Sequence, residues 1–494
     1  MDHKAFRWAL SFIVTLQLAT AHIGLRYIVY EYKEGSIPLR VYLKLPESAP
    51  GIVDISFKSF TDNIDRISVN SQLKGFVQVG ENSSRNIAIP VNGEENTFSS
   101  KLPLFKYGAY SINVEVQQNG KIEQVIIPVN FFASENLELD SIGLSVLFVT
   151  AFFVSFLGIF FIRNAYSYNR KKEFEKILKS KNNSRFLQFA EIFIIIFMIS
   201  YVSIKWWDER KTNYDQNNYF NLKNNAKIVN NEKYDILKIN IVDKKWINEK
   251  MPNLIPDHGK IMHMYMVSDD FKYLAHLHPT RSEDRNSFLV RMPPFDEGVY
   301  SLYMDITHET GFSHTMTNKI NYNRKNIIID RSITTPLIDP DDSWTQDLDA
   351  IKITWVDMQS FYEAEKDIPM RFKIEKNGKP TPIQSYMGMG AHAALIKNDG
   401  SVFAHLHPTG TINMASKNIY ELGSKKEQMI DNKNIELDLI NPKHDHFSNH
   451  NYSVNGEVGF PPLRLIKAGD YTVWVQVKTE NKIITQKFNF TIST

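Results

Sequence analysis

Cysteine is absent from all 494 residues. That excludes disulfides, zinc ribbons, iron–sulfur clusters and thiolate copper centres, all of which need cysteine sulfur. A surplus of either charge sign is missing as well. Lys and Arg number 57 against 55 Asp and Glu, a formal net charge of +2, so composition gives no reason to expect nucleic acid. There is no phosphate-binding glycine loop, no HExxH helix and no serine–histidine–acid arrangement. The string "HETGFSH" from His308 has the wrong spacing and sits in strand context. Any metal chemistry must therefore use His, Met, carboxylate or backbone ligands.

The length exceeds one ordinary core and implies two to four domains. Hydrophobic residues make up 43% of the chain but are unevenly placed. The run "FRWALSFIVTLQLATAHIG", with Lys4 before it, Arg7 near its start and Ala19 and Ala21 in small-x-small spacing, reads as a signal peptide over 1–21. An uncleaved anchor is the alternative, and both put the following residues outside the cytoplasm. Two further runs, Ser141 to Ile162 and Phe186 to Ile204, approach or exceed the roughly 20 residues that span a bilayer. The segment 163–185 between them is rich in Lys and Arg, which makes it a cytoplasmic loop, and Trp206 and Trp207 suit an interfacial belt. Glu191, near the basic end of the second run, is expected to snorkel.

Outside these runs the period is two. "IPLRVYLKL" alternates Leu39, Val41, Leu43 and Leu45 with Arg40, Tyr42 and Lys44, and "YDILKINIV" and "AIKITWV" behave alike. Three segments end in the same pattern: a proline after an apolar residue, then Gly-x-Tyr, then an alternating strand. The tyrosines are Tyr110, Tyr300 and Tyr471. This matches the corner that leads into a late strand of an immunoglobulin-like sandwich, and its recurrence points to three related domains. The expected fold is mainly β: three immunoglobulin-like β-sandwich domains plus a two-helix transmembrane hairpin. The first sandwich covers 22–139, the hairpin 140–207, an Asn-rich linker 208–233, the second sandwich 234–331 and the third 347–494. The polar excursion 410–456 reads as loop.

Histidine is concentrated in the last two segments. "MHMYMVSDDFKYLAHLHPT" (Met262–Thr280) aligns without a gap on "AHAALIKNDGSVFAHLHPT" (Ala391–Thr409). His263 falls on His392, His276 on His405, His278 on His407 and, upstream, His258 on Met387. Asp399-Gly400 is a two-residue hairpin signal whose register sets His392 opposite His407, with His405 one diagonal away on the same face. Three imidazoles on one face suit a shared cation about 2 Å from each nitrogen. Proline after each His-x-His ends the ladder, which places the pair near a loop rim. The expected metal ligands are His263, His276 and His278 in one domain and His392, His405 and His407 in the other, with His258 and Met387 as fourth ligands. Thioether plus imidazole favours copper among first-row metals, with zinc the alternative. Met262, Met264 and Met266 fall on the opposite strand face from His263 and read as core filler. Cleavage after Ala21 would make His22 a terminal residue able to offer amine and ring nitrogen to one copper ion.

The strings "DHGKIMHMYMV", "AHLHP", "SLYMDITHETGF" and "YMGMGAHAALIKNDGSVFAHLHPTGTINMA", with "AHIG" and "GAYSINVEV", resemble a family of uncharacterised bacterial membrane-anchored envelope proteins. The domains are similar in sandwich type to the YtkA-like, FixH-like and CopC-like group, which is associated with copper handling in the envelope. That resemblance implies a position at the bacterial inner membrane with most of the chain in the periplasm. It makes His22 the match of the CopC-like N-terminal copper ligand. The expected partners are a metal ion, the inner membrane, and a metal transporter or oxidase assembly factor, with no nucleic acid. The expected role is non-enzymatic. Two other readings stand beside it: an envelope scaffold or adhesion array, and a cupin-like metalloenzyme using His276, His278 and Glu283.

Overall fold

Leu39, Val41 and Leu43 point into one core while Arg40 and Lys44 stay half-exposed, so the alternation seen in the sequence becomes a strand with one interior face. The computed structural model describes residues 25–74, 85–132, 222–248, 251–346, 350–428 and 451–494, with scattered positions between 149 and 209. Among these, nearly all regular structure is antiparallel sheet.

In the first β-region, β1 (Tyr27–Tyr32), β2 (Leu39–Lys44), β3 (Gly51–Ser59) and a strand over Thr97–Leu104 form one sheet, completed by a short edge strand. The other holds β4 (Arg66–Leu73), β5 (Gly108–Gln118) and β6 (Lys121–Phe131). Val41, Phe57, Ile67, Ile112 and Val125 meet between the two sheets.

The second β-region pairs β7 (Asn224–Asn230) with β8 (Asp235–Ile241) in one sheet. Its other sheet contains β9 (His263–Ser268), β10 (Leu274–Leu277), β11 (Gly298–His308), β12 (Ser313–Tyr322) and β13 (Ser343–Trp344), in the order β12-β11-β9-β10-β13. The stretch 208–233, read from sequence as a linker, therefore contains a paired strand. Its asparagines are used as side-chain partners: Asn318 Nδ2 donates to Asn224 Oδ1 at 2.7 Å.

The third β-region repeats the plan. β14 (His392–Lys397), β15 (Phe403–Leu406), β16 (Gly469–Thr479) and β17 (Lys482–Ser493) are ordered β17-β16-β14-β15. The excursion read as loop begins with α1, a helix over Met414–Gln428. Asn413 caps it, its Oδ1 accepting from the Ser416 N–H at 2.8 Å.

In all three regions the Gly-x-Tyr tyrosine reaches back to a carbonyl four residues upstream. Tyr110 Oη donates to Lys106 at 2.7 Å, Tyr300 to Asp296 at 2.7 Å and Tyr471 to Lys467 at 2.8 Å. The first region also docks on the third. The Glu31 N–H donates to the Thr409 carbonyl at 2.8 Å, and the Thr411 N–H to the Val29 carbonyl at 2.9 Å. Gly410 sits in this seam at φ +129°, where a Cβ would lie 2.0 Å from the Val29 oxygen.

Residues Glu135–Phe220 form a separate unit. Its described positions, in 149–157 and 194–209, are helical and expose Phe152, Phe153, Phe156, Phe197 and Val202. Among the described residues no helix is long and apolar enough to cross a membrane. The expected spans at 141–162 and 186–204 lie mostly outside the described residues. The signal segment 1–21, His22 and the basic loop 163–185 lie wholly outside them.

Candidate metal centre

The histidine strings form two hairpins. In the third region Ala393 pairs with Leu406 and Ala394 with His405, so the next pair outward is His392 with His407. In the second, Met264 pairs with Leu277 and Tyr265 with His276, which sets His263 across from His278. This is the register read from Asp399-Gly400, although the turn differs. Only Gly400 of that pair has positive φ, and the hairpin closes as a four-residue loop with the Lys397 N–H on the Val402 carbonyl at 3.0 Å. The matching position in the second region is Phe271, at φ +55°.

Strand alternation then decides which face the histidines occupy. Ala391, Ala393, Leu395, Val402, Ala404 and Leu406 fill the core of the third region. His392, Ala394, Ile396, Phe403, His405 and His407 fall on the opposite face, away from that core. The second region behaves in the same way, with buried Met264 and Met266 on the inner side and His263, Tyr265 and Val267 on the outer. The two outer faces pack against each other. Tyr265, Val267, Leu274 and Tyr303 meet Ala394, Ile396, Phe403 and Trp474 in one apolar cluster. The histidines continue this contact.

Seven imidazoles consequently form one buried cluster instead of two rim sites. His263 lies 5.4 Å from His405 between ring centroids, His276 lies 6.1 Å from His392, and His258 lies 5.3 Å from His407. His276 and His392 are 0% exposed. The expected grouping is redistributed. His263, His276 and His278 each offer an atom within 4.8 Å of the others, whereas His258 groups with His392 and His407 of the other region. His405 belongs to neither triplet and touches both, 5.4 Å from His263 and 4.4 Å from His407.

Each ring of the first triplet has one nitrogen held by a neighbouring polar group. His263 Nε2 donates to the Asp257 carbonyl at 3.0 Å, and His278 Nδ1 to Asp342 Oδ1 at 3.0 Å. His276 Nδ1 lies 3.0 Å from Gln476 Oε1 and 3.4 Å from Tyr386 Oη, and the Gln476 amide nitrogen lies 2.9 Å from Ser343 Oγ and 3.1 Å from Thr485 Oγ1. A neutral imidazole that donates through one nitrogen presents a bare lone pair at the other. His263 Nδ1, left bare by the bond from Nε2, lies 3.2 Å from His276 Nε2. His278 Nε2 is buried without a hydrogen-bond partner. Burial holds the pKa of His263 below, and those of His276 and His278 well below, the ordinary histidine value, which favours the neutral ring that can bind a cation.

In the second triplet both ring nitrogens of His392 are buried and lack partners. An orphaned buried nitrogen costs about 1–3 kcal/mol. Desolvation also holds His392, His405 and His407 well below the ordinary histidine value. A tetrahedral ion with nitrogens at about 2.0–2.1 Å sets them about 3.3 Å apart, the spacing already present between His263 and His276. The donor set fits an imidazole-binding cation, with Asp342, Gln476 and Asp257 orienting the rings from behind.

Sequence reading missed these orienting groups. Asp305 and Gln476 stand five residues after Tyr300 and Tyr471, polar side chains in otherwise apolar strands, and that was the available signal. Asp305 Oδ2 lies 3.6 Å from His405 Nδ1, and burial pushes its pKa up to about 6. Asp342, pushed up to about 7 by burial, belongs to a segment assigned to no domain. A third group, His278 with Asp339 and Asp342, has Lys260 Nζ beside it, 2.5 Å from Asp339 and 3.0 Å from Asp341. Met387 and Met389 are buried in the turn before β14. Glu283 is exposed and joins no group, so the cupin-like arrangement is not assembled. His308 and His314 stack at 5.5 Å, with His308 Nδ1 donating to the Pro252 carbonyl at 2.8 Å.

Residues 214–323 match the model of a domain family of unknown function, DUF8832. No curated protein matches the chain. Among solved structures it is similar to a Corynebacterium diphtheriae protein described as membrane anchored, at 10% identity and TM-score 0.14, covering 92% of each chain. It is also similar to Salmonella alpha-2-macroglobulin, at 9% identity and TM-score 0.18, covering 95% of this chain and 24% of that one. A marsupial T cell receptor shares 8% identity at TM-score 0.19, covering 92% and 99%. Likenesses at these TM-scores carry no conclusion about fold or function.

Proposed function

We propose that this chain is a membrane-anchored envelope protein that binds a transition metal, copper first and zinc as the alternative, in the histidine cluster between its second and third β-regions. The observation that carries this reading is the set of buried ring nitrogens without hydrogen-bond partners on His278, His392, His405 and His407, beside a His263–His276 nitrogen pair 3.2 Å apart. A cation would give those nitrogens the partner they lack. Three tyrosine corners support reading the β-regions as three immunoglobulin-like sandwich domains. The exposed apolar positions within 140–207 support a membrane hairpin there. With a signal segment over 1–21, the sandwiches would face the periplasm, where the protein would buffer a metal, pass it on or sense it. Candidate recipients are a metal transporter or an oxidase assembly factor. His22 remains a candidate copper ligand if Ala21 is the cleavage site.

The test is metal analysis of the full-length protein, purified from membranes in detergent and dialysed against copper or zinc, beside the variant H276A/H392A. Near-UV circular dichroism checks that both are folded. Bound metal in the parent and a loss in the variant are expected; equal contents overturn the reading. A purely structural histidine interface is the second reading. It is favoured by the His263 bond to the Asp257 carbonyl, and it predicts no metal in either protein.

A further inference from the structure

The cluster has an internal pseudo-twofold axis. His263 to His276 measures 5.4 Å and His392 to His405 5.5 Å. His263 to His278 and His392 to His407 both measure 5.1 Å. His276 to His278 is 4.8 Å and His405 to His407 4.4 Å. The second-region His276 meets Gln476 of the third, and the third-region His405 meets Asp305 of the second. Those two side chains hold equivalent register positions, opposite His392 and His263.

The turns before the hairpins obey the same symmetry. Asp257–Lys260 and Tyr386–Met389 are each closed by a bridge between their ends. His258 and Met387 have φ of +50° and +49°, and Gly259 and Gly388 have +80° and +78°. His258 crosses to the third region, 5.9 Å from His392 and 5.3 Å from His407. By that symmetry the counterpart of the His258 crossing would be Met387 directed toward His263 and His278. Its neighbour Tyr386 already lies there, with Oη donating to the Asp341 carbonyl at 3.0 Å, beside the Asp342 that holds His278.

Resting on the metal-binding reading above, we infer that the cluster is two inequivalent metal sites whose fourth ligands are exchanged between the β-regions. One is His258 with His392 and His407. The other is Met387 with His263, His276 and His278. His405 lies between them. An all-imidazole site suits Zn(II) or Cu(II), whereas a thioether added to imidazoles selects Cu(I). Duplication made the two halves, and the difference between His258 and Met387 makes them choose different ions.

The experiment titrates the full-length protein in detergent with Cu(I), anaerobically against a chromophoric Cu(I) competitor, and separately with Zn(II). The variants are M387A, H258A and M387H, each checked by near-UV circular dichroism. Two Cu(I) equivalents are expected. M387A should weaken one of them by about tenfold or more and leave Zn(II) affinity within about twofold. H258A should weaken Zn(II) by about tenfold or more, and M387H should add a second Zn(II) equivalent. X-ray absorption should show copper–sulfur scattering in the parent and none in M387A. Metal binding with Cu(I) affinity and sulfur scattering unchanged in M387A overturns the inference and leaves the metal-binding reading standing. No metal in the parent protein overturns both.

Discussion

Gln476 Oε1 accepts a hydrogen bond from His276 Nδ1 at 3.0 Å across the boundary between the third and second β-regions. One amide thereby anchors a ring that its own region does not contain. Gln476→Leu keeps the approximate volume and removes the acceptor. The expected outcome is a loss of about 10–100-fold in metal affinity, measured by competitive titration, with the saturating metal content unchanged.

Stability without metal should fall as the pH drops from about 7.5 to 5.5. His263, His276, His278, His392, His405 and His407 all have folded-state pKa values below the ordinary value because burial disfavours the cation. Below about pH 6.5 the unfolded chain binds protons that the native state does not, so stability rises with pH there. Asp257, raised by burial, and Asp305 and Asp342, pushed up to about 6 and about 7, act in the opposite sense, since the native state holds their protons longer. Six histidines outweigh three carboxyls. Urea midpoints at the two pH values check the sign, and a higher midpoint at pH 5.5 would contradict it.

Phe271 adopts φ +55°, a costly conformation for a side chain of its size, and stacks on Trp474 at 5.7 Å. Its counterpart in the third region is Gly400. Phe271→Gly relieves the backbone but removes a ring contact that joins the two regions. The balance should be a loss of about 1–2 kcal/mol, with faster amide exchange in both β9 and β14. Exchange confined to β9 would show that the stack does not join the regions.

Gly410→Ala forces a methyl into the Val29 carbonyl. The expected cost is about 3 kcal/mol, read in urea unfolding. Limited proteolysis should release the first region while the histidine hairpins stay protected.

Hairpin register, the duplication and the three tyrosine corners were legible because each depends on local spacing. What covers the outer face of a hairpin is not local. The hint lay in "MHMYMV" and "AHAALI", near-continuous apolar runs of the kind found in strands covered on both sides. β7 was hidden by its asparagines; Asn224 pairs with Asn318 and Asn230 with Asp235, which satisfies in the fold what disfavours them in an isolated strand. Helix α1 was hidden by its polar surface. Its N-terminus is tied to the centre, because the Ala415 N–H donates to Asp257 at 3.1 Å and Asp257 precedes His258.

The Glu31–Thr409 backbone bond has a counting consequence. Two residues that share a hydrogen bond occupy one aqueous compartment, so the 377 residues between them cross any membrane an even number of times. A single crossing is incompatible with the seam. Tags inserted in the loops near residues 93 and 378 must therefore report the same side, whatever happens between 135 and 220.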